Sequence, residues 1–415
     1  MQETLHCRFA RDADISAVAR LVRHSFPSAA RTQESVEELL RSPRYGGGAD
    51  TLLVGEHDGR LAGALQLHPL RQWVGGARLP MAGVGSVAIS PAHRRRGLAE
   101  QLVAAGLRAA RERGDLVSAL YPFRFAFYHR LGYGNAGVAE QWQIPTRSLR
   151  DSPERIRVQL LEADAERDDA LALYNDWVRS QNGQLERTPA MWDELVRHPA
   201  RALAGYRNER GTLEGYALVD YRTDLPRRGR FLEVDEIVWT SLPSRRALYA
   251  WLSSLADQWE QVLIRALPSH RMQDWVSEPR LPLDAAPSWQ LWSPAATLMM
   301  GPMFRLVDAA GAWQRRSIAG MAGMSIALEV DDVHLPENAG RWVLSLEGGR
   351  ATLARKGAAT ATVRLGIATL SRLYIGALPP TSAAVAGLLD CDRPELLPAL
   401  DAALALEEPW LFDRF

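Results

Sequence analysis

Apolar residues enter the chain in a helical rhythm. Ile15, Val18, Leu21 or Val22, and Phe26 fall three or four apart, forming one buried face of a helix that Asp12 or Asp14 can cap and Pro27 ends. A second helix is expected over residues 32–41, after which Gly46 to Gly48 open a loop. The rhythm then turns to that of strands. Residues 51–56 and 61–68 flank Asp58 and Gly59, a strong hairpin signal, and 71–84 continues the antiparallel sheet. Residues 85–90 read as a short buried strand ended by Pro91. From Gly97 the helical pattern resumes through Leu98, Leu102, Val103 and Leu107, to be followed by a strand over 116–120 and a helical segment over 123–131.

The loop between strand 85–90 and its helix carries His93, Arg94, Arg95 and Arg96. A strand-to-helix junction offers unpaired backbone N–H groups and the positive end of a helix dipole, an anion site that needs no nucleophile. Gly97 and Ala99 are small where backbone must lie against a phosphate, and the three arginines add charge. The plainer alternative is a solvated arginine run on an ordinary turn. Other nucleotide motifs fail on spacing: Gly83 and Gly85 precede the strand, and no Gly-Lys-Ser/Thr follows the arginines.

The arginine-glycine-alanine spacing resembles the pyrophosphate signature of the GCN5-related N-acetyltransferases. Tyr128, four residues before Gly132 and Tyr133, resembles that family's second acyl-CoA segment, and the order of expected elements matches its fold. The resemblance implies acetyl-CoA as co-substrate, its pantetheine along Val87, Ala88 and Ile89 and its pyrophosphate at Arg94, Arg95, Arg96, Gly97, Leu98 and Ala99. It also implies that the Ile89 N–H faces the thioester oxygen and that Tyr128 is the general acid. Packing among Phe123, Phe125 and Phe127 is the competing reading of Tyr128. Tyr121 and Tyr133 read as structural, and Phe26 as lining the cleft.

A shift of 150 residues sets 236–252 beneath 86–102 without a gap, and 202–219 echoes the hairpin 51–67. The second stretch therefore repeats the first fold. Ala247 and Tyr249 stand where Gly97 and Ala99 stood, and no tyrosine like Tyr128 follows the expected strand 262–267, so the copy is expected to be inactive. Beyond a proline-punctuated stretch, segments 303–308, 341–353, 367–378 and 396–406 suggest strands backed by helices, an order that resembles a sterol-carrier-protein-like fold. A filled core is the commoner outcome there than a lipid cavity.

Two acetyltransferase-like domains and such a third module resemble the Eis (enhanced intracellular survival) family of N-acetyltransferases. The expected architecture is α+β: tandem GCN5-related acetyltransferase folds over 1–148 and 149–296, the second degenerate, then a sterol-carrier-protein-like domain over 297–415. In that family the C-terminal carboxylate reaches the active site, which makes Phe415 a second catalytic candidate. The resemblance further implies a small-molecule primary amine as acceptor and a homo-oligomer, a hexamer in the relatives. Glu407, Glu408 and Asp413 suit a polycation, whereas Arg414 beside the carboxylate opposes one.

Composition narrows the rest. The chain has 415 residues, 47% apolar and 24% charged, with 49 basic and 49 acidic side chains. Zero formal charge gives no global field for nucleic acid or an anionic membrane. No stretch approaches the roughly 18 apolar residues of a membrane span, and the start lacks a signal-peptide core, so a cytoplasmic protein is expected. Cys7 and Cys391 stand far apart and the histidines are scattered, which predicts neither a disulfide nor a metal. The leading expectation is an acetyl-CoA-dependent amine N-acetyltransferase. Its rivals are transfer of a longer acyl chain or to protein lysines, and a lipid or ligand carrier with a vestigial first domain.

Overall fold

A computed structural model describes residues 4–26, 32–221, 231–280, 294–318 and 323–415. Pro27, expected to end the first helix, lies outside them. In chain order the first elements are β1 His6–Phe9, α1 Ile15–Ser25, α2 Gln33–Arg41, β2 Leu52–His57, β3 Arg60–Val74, β4 Ala77–Ile89, α3 Leu98–Arg113, β5 Val117–Leu120, α4 Phe125–Arg130 and β6 Gly134–Asn135. There follow β7 Val138–Pro145, β8 Val158–Leu160, α5 Asp164–Trp177, α6 Pro189–Val196, β9 Arg201–Arg207, β10 Leu213–Asp220, β11 Phe231–Trp239, α7 Leu242–Ser253, β12 Gln261–Ala266 and β13 Ala296–Met300. The last are β14 Met303–Leu306, α8 Ala309–Trp313, β15 Met324–Asp331, β16 Gly340–Glu347, β17 Arg350–Ala354, β18 Ala361–Gly366, α9 Ile367–Tyr374, α10 Pro380–Val385, β19 Leu389–Cys391 and α11 Leu397–Leu404.

Local chemistry explains the boundaries. Asp58 and Gly59 both take positive φ (50° and 70°), the two-residue turn whose twist suits a hairpin. Gly75 and Gly76 do the same (54° and 77°) between β3 and β4. Residues 71–84, expected to continue the antiparallel sheet, do so as the end of β3, a turn and the start of β4, and β4 runs on to Ile89 instead of starting afresh at Gly85. Thr32 caps α2 by accepting from the Ser35 N–H at 3.2 Å. Gly114 (φ 89°) ends α3 in the left-handed conformation that only glycine adopts cheaply.

The chain forms two compact units. The first comprises residues 1–137, 181–186 and 302–415. Its larger sheet has the order β1-β2-β3-β4-β5-β14-β6, with only β4 and β5 parallel, and its smaller sheet runs β17-β16-β15-β18-β19. In the smaller sheet β15 and β18 are the parallel pair. The second unit comprises 138–180 and 187–301, with a sheet ordered β13-β7-β12-β11-β10-β9-β8. Read from β8, that sheet repeats the first position for position, with β11 and β12 as its parallel pair.

Two strands lie across the expected boundaries. β7, from the stretch assigned to the first domain, pairs with β12 and β13 in the second sheet. β14, expected in the third domain, pairs with β5 and β6 in the first sheet, corresponding to the place β7 fills in the other. Each half of the chain thus lends the other the same strand. β5 and β14 are buried along their whole length, so burial matches the two partners while sequence separation hides the pairing.

Candidate active site

The centre of the first sheet is opened by one extra residue. Gln66 on β3 faces Gly85, yet Ala64 faces Ala88, so Ser86 and Val87 together oppose Leu65. Ser86 takes φ 51° at this bulge, and its Oγ donates to Gln66 Oε1 at 2.8 Å. β5 pairs with β4 only from Met81 to Gly83. Beyond Gly83 the two parallel strands part. The Ser90 N–H donates to Ala62 O on β3 at 2.8 Å, and because successive N–H groups alternate between strand edges, the Ile89 N–H points the other way, into the splayed side.

Past this edge lies the basic turn. Arg94, Arg95, Arg96 and Gly97 are exposed, with Arg95 at φ 62° and Gly97 at φ 78°. Gly97 sits at the N-terminus of α3 without a side-chain cap, and nothing lies within 4 Å of the point a Cβ would occupy. Leu98 turns into the core, Ala99 is half-buried, and the helix N–H groups are left to the open side. The repeat is different. There Ser241 caps α7 by accepting from the Ser244 N–H at 3.2 Å, Ala247 is buried, and the buried Tyr249 donates to Met272 Sδ at 3.2 Å. The bulge region of β11 is filled too: Glu236 accepts from Arg187 at 2.8 and 2.7 Å and from Tyr216 at 2.5 Å, all buried.

Tyr128 lies on α4, which begins two residues later than expected because Arg124 keeps an extended backbone. Its ring packs edge-on to Phe127 at 4.9 Å, Phe123 at 5.6 Å and Tyr133 at 6.0 Å, within the cluster that holds Leu98 and against which Val87 and Ile89 pack. Burial, with Tyr133 adding, pushes its phenol well above the ordinary range, so it stays a neutral donor. Tyr133 shares a 2.8 Å hydrogen bond with Ser118 Oγ, and burial pushes it up to about 12. Ala88 instead faces the cluster of Ile15, Val18 and Leu52 on the sheet's other side.

The end of the chain reaches the same strand. The Phe415 ring stands 6.1 Å from Tyr45, 6.1 Å from His68 and 6.0 Å from Tyr121. It lies over Gly83, where a Cβ would stand 2.9 Å from Cδ2 and Cε2 of the ring. The carbon of the terminal carboxylate is 3.4 Å from the corresponding point at Gly85. Tyr121, expected to be structural, donates to Asp413 O at 2.9 Å and Leu411 O at 3.2 Å and so ties the tail down. Arg414 is exposed and Asp413 buried. Phe26, at the end of α1, is exposed.

His68 was not singled out by sequence reasoning. It is buried, and its Nδ1 lies 3.1 Å from the Tyr45 carbonyl, which fixes that nitrogen as the donor and leaves Nε2 its lone pair. Nε2 borders Gly85, 3.1 Å from the point a Cβ would occupy, beside the terminal carboxylate. Burial, with the Arg113 charge adding, holds the imidazole down at about 4, so it is neutral. The available signal was period two: Gln66, His68 and Gln72 put three polar side chains on one face of β3 among apolar neighbours, and all three are buried. Among the described residues no three His, Cys, Asp or Glu side chains stand together as a metal site needs, and no helix is long and apolar enough to cross a membrane.

Comparison with known proteins gives matches over all three parts. Residues 6–136 and 183–306 each match an acetyltransferase (GNAT) domain family, and 311–412 match the sterol carrier protein domain family. N-acetyltransferase Eis of Mycobacterium tuberculosis is 31% identical over 343 residues, covering 80% of this chain and 79% of its own. Among solved structures, a GCN5-related N-acetyltransferase from Anabaena variabilis shares the fold at a TM-score of 0.85, with 23% identity over 99% of this chain and 100% of that one. Eis1 from Mycobacterium abscessus shares it at 0.78 with 23% identity, over 99% and 100% of the two chains.

Proposed function

The chain belongs to the Eis-type N-acetyltransferases of the GCN5-related family, and from that footing we propose that its first domain transfers acetyl directly from acetyl-CoA to a primary amine. The observation that carries the reading is the bare, uncapped N-terminus of α3 at Gly97 beside the parted strands β4 and β5. In the repeat the helix starts earlier, behind a capping Ser241 that aligns with Pro91, so Ala247 lies inside the helix where Gly97 opens the other, and a buried ion pair fills the place of Ser86. The second domain is therefore without a site of its own.

Arg94 to Ala99 would hold the pyrophosphate through backbone N–H groups, the helix dipole and guanidinium charge. Val87, Ala88 and Ile89 would hold the pantetheine along the open edge of β4. The Ile89 N–H faces the side where negative charge grows on the thioester oxygen, and such a donor is worth about 3 kcal/mol. Tyr128 donates to the departing sulfur. A phenol has a reference pKa near 10 and a thiol near 8.5, so full proton transfer is uphill by about 2 kcal/mol, and burial makes it more so. Its role is hydrogen bonding to the developing thiolate, which departs as thiolate and takes its proton from solvent, so the phenol stays protonated.

The carboxylate of Phe415 orients the amine. With a reference pKa near 3.5 it cannot deprotonate a free alkylammonium near 10, but it accepts the proton once attack has acidified the nitrogen. His68 Nε2, neutral and beside it, offers a second acceptor. A panel of aminoglycosides, polyamines and lysine derivatives with acetyl-CoA, scored by thiol release and by locating the acetylated nitrogen, tests the reading. Thiol release with none of them above the hydrolysis rate would overturn it.

A further inference from the structure

The tail that ends in Phe415 has no regular secondary structure after α11, yet its backbone is fastened. The fastening comes from residues 181–186, which lie between α5 and α6 in sequence but belong to the first unit. This turn joins the free edge of β3 beyond the reach of β2. The Trp73 N–H donates to Gln184 O at 2.9 Å, the Gly183 N–H to Trp73 O at 2.7 Å, and the Glu186 N–H to Arg71 O at 3.0 Å. Gln72 Nε2 adds a bond to Gly183 O at 2.8 Å from a buried side chain.

The turn's other side holds the tail. The Trp410 N–H donates to Asn182 O at 3.1 Å, and the Phe412 N–H donates to Gln184 Oε1 at 3.2 Å. Asn182 Nδ2 donates to Glu407 O at 2.7 Å and to Ile375 O at 2.9 Å. Gly183 has φ 94°, and a Cβ there would stand 2.8 Å from Trp410 O, so the approach requires glycine. Asn182 and Gln184 are buried polar side chains, and neither lies among the residues that would touch substrate. A buried amide is retained at the cost of its desolvation, which its tail contacts offset.

We propose that residues 181–186 form a clamp that sets the position of the terminal carboxylate, with Asn182 and Gln184 as positioning residues. The proposal rests on the reading of Phe415 as the carboxylate that meets the amine. The tail is hung between two fixed points, this turn at Glu407, Trp410 and Phe412, and Tyr121 at Leu411 and Asp413. Loosening the first shifts the carboxylate without altering any group in the cleft.

Gln184→Met tests this with little change of volume, because the bond from the Phe412 N–H is the one side-chain hydrogen bond it removes, Gln184 Nε2 having no partner among the described residues. It should lower kcat about tenfold, part of the loss that an ångström of misplacement brings, and leave KM for acetyl-CoA unchanged. It should also speed release of Phe415 by a carboxypeptidase. In a chain lacking Phe415 the same substitution should cost no further activity, since its effect passes through that residue. An equal loss in both backgrounds, or a parent-like rate together with parent-like resistance to the carboxypeptidase, would overturn the clamp. If removing Phe415 alone leaves turnover intact, the carboxylate reading falls, and the clamp is then decided by the digestion: unchanged release sinks it.

Discussion

Gly83→Ala is the sharpest probe of the seat beneath Phe415. The added Cβ would stand 2.9 Å from two ring carbons of Phe415 and 2.8 Å from Leu70 Cδ1. Carbon atoms rest at about 3.5–4.0 Å, so ring and leucine must each yield by about 1 Å. Gly83 lies outside the left-handed region, so alanine's backbone is unstrained and the strand itself gains slightly. Overpacking costs about 1–3 kcal/mol, which a folded variant survives. The ring carries the carboxylate with it, and a displacement of that size lowers kcat on the order of 100-fold. KM for acetyl-CoA should hold, because Gly97 and the arginine turn are untouched. Initial rates by thiol release, with thermal melts alongside, give both numbers. Phe415→Ala keeps the terminal carboxylate but removes the ring, so in that background Gly83→Ala should leave kcat nearly unchanged, the remaining contact with Leu70 Cδ1 acting on stability alone. A folded Gly83→Ala variant with kcat within about threefold of the parent would refute the argument, since a misplaced carboxylate cannot spare the rate.

Three further outcomes are expected. Gly97→Tyr, which brings a ring to the open cradle and strains a left-handed position by about 1–3 kcal/mol, should abolish acetyl-CoA binding by calorimetry while the far-ultraviolet spectrum stays unchanged; retained affinity would remove the phosphate cradle. Tyr128→Phe should lower kcat by about 100-fold or more with cofactor affinity nearly constant, and a near-parent rate would assign that ring to packing alone. For His68 the folded pKa, about 4, lies below the ordinary 6.5, so the unfolded chain takes up a proton first as pH falls. Stability is then whole above pH 6.5 and is lost as pH drops from 6.5 to about 4, by roughly 3 kcal/mol. His270, held at about 4 chiefly by burial, adds to the same slope, so denaturant melts of His68→Gln from pH 4 to 7 should show a flatter but not a level profile.

Which features the sequence disclosed follows from how far apart their causes lie. The arginine turn, Gly97 and the start of α3 are contiguous, and small residues beside a charge run betray them without any knowledge of the fold. Tyr128 was visible through its spacing to Gly132, although packing beside Phe127 gave no local sign of which way its hydroxyl serves. The repeat was legible because two bulged hairpins keep the same apolar pattern. His68 was hidden by the opposite circumstance. Gln66, His68 and Gln72 alternate with apolar residues and read as a solvated face of a strand until the register of His68 against Gly83 and its tie to Tyr45 are known. The exchange of β7 and β14 left no trace, because each strand's own pattern is satisfied by any buried antiparallel neighbour.

That exchange also sets a timetable for synthesis. When β6 leaves the ribosome, the outer edge of β5 has only open backbone and four buried-type side chains to show, and its neighbour is still untranslated. An exposed apolar edge invites pairing with the wrong chain. A nascent polypeptide halted before Met303 is thus predicted to be sticky and chaperone-dependent, even though it already carries every residue that would grip the coenzyme. The half proposed to hold the coenzyme cannot be harvested by trimming: its last rib is made only after every strand of the second sheet.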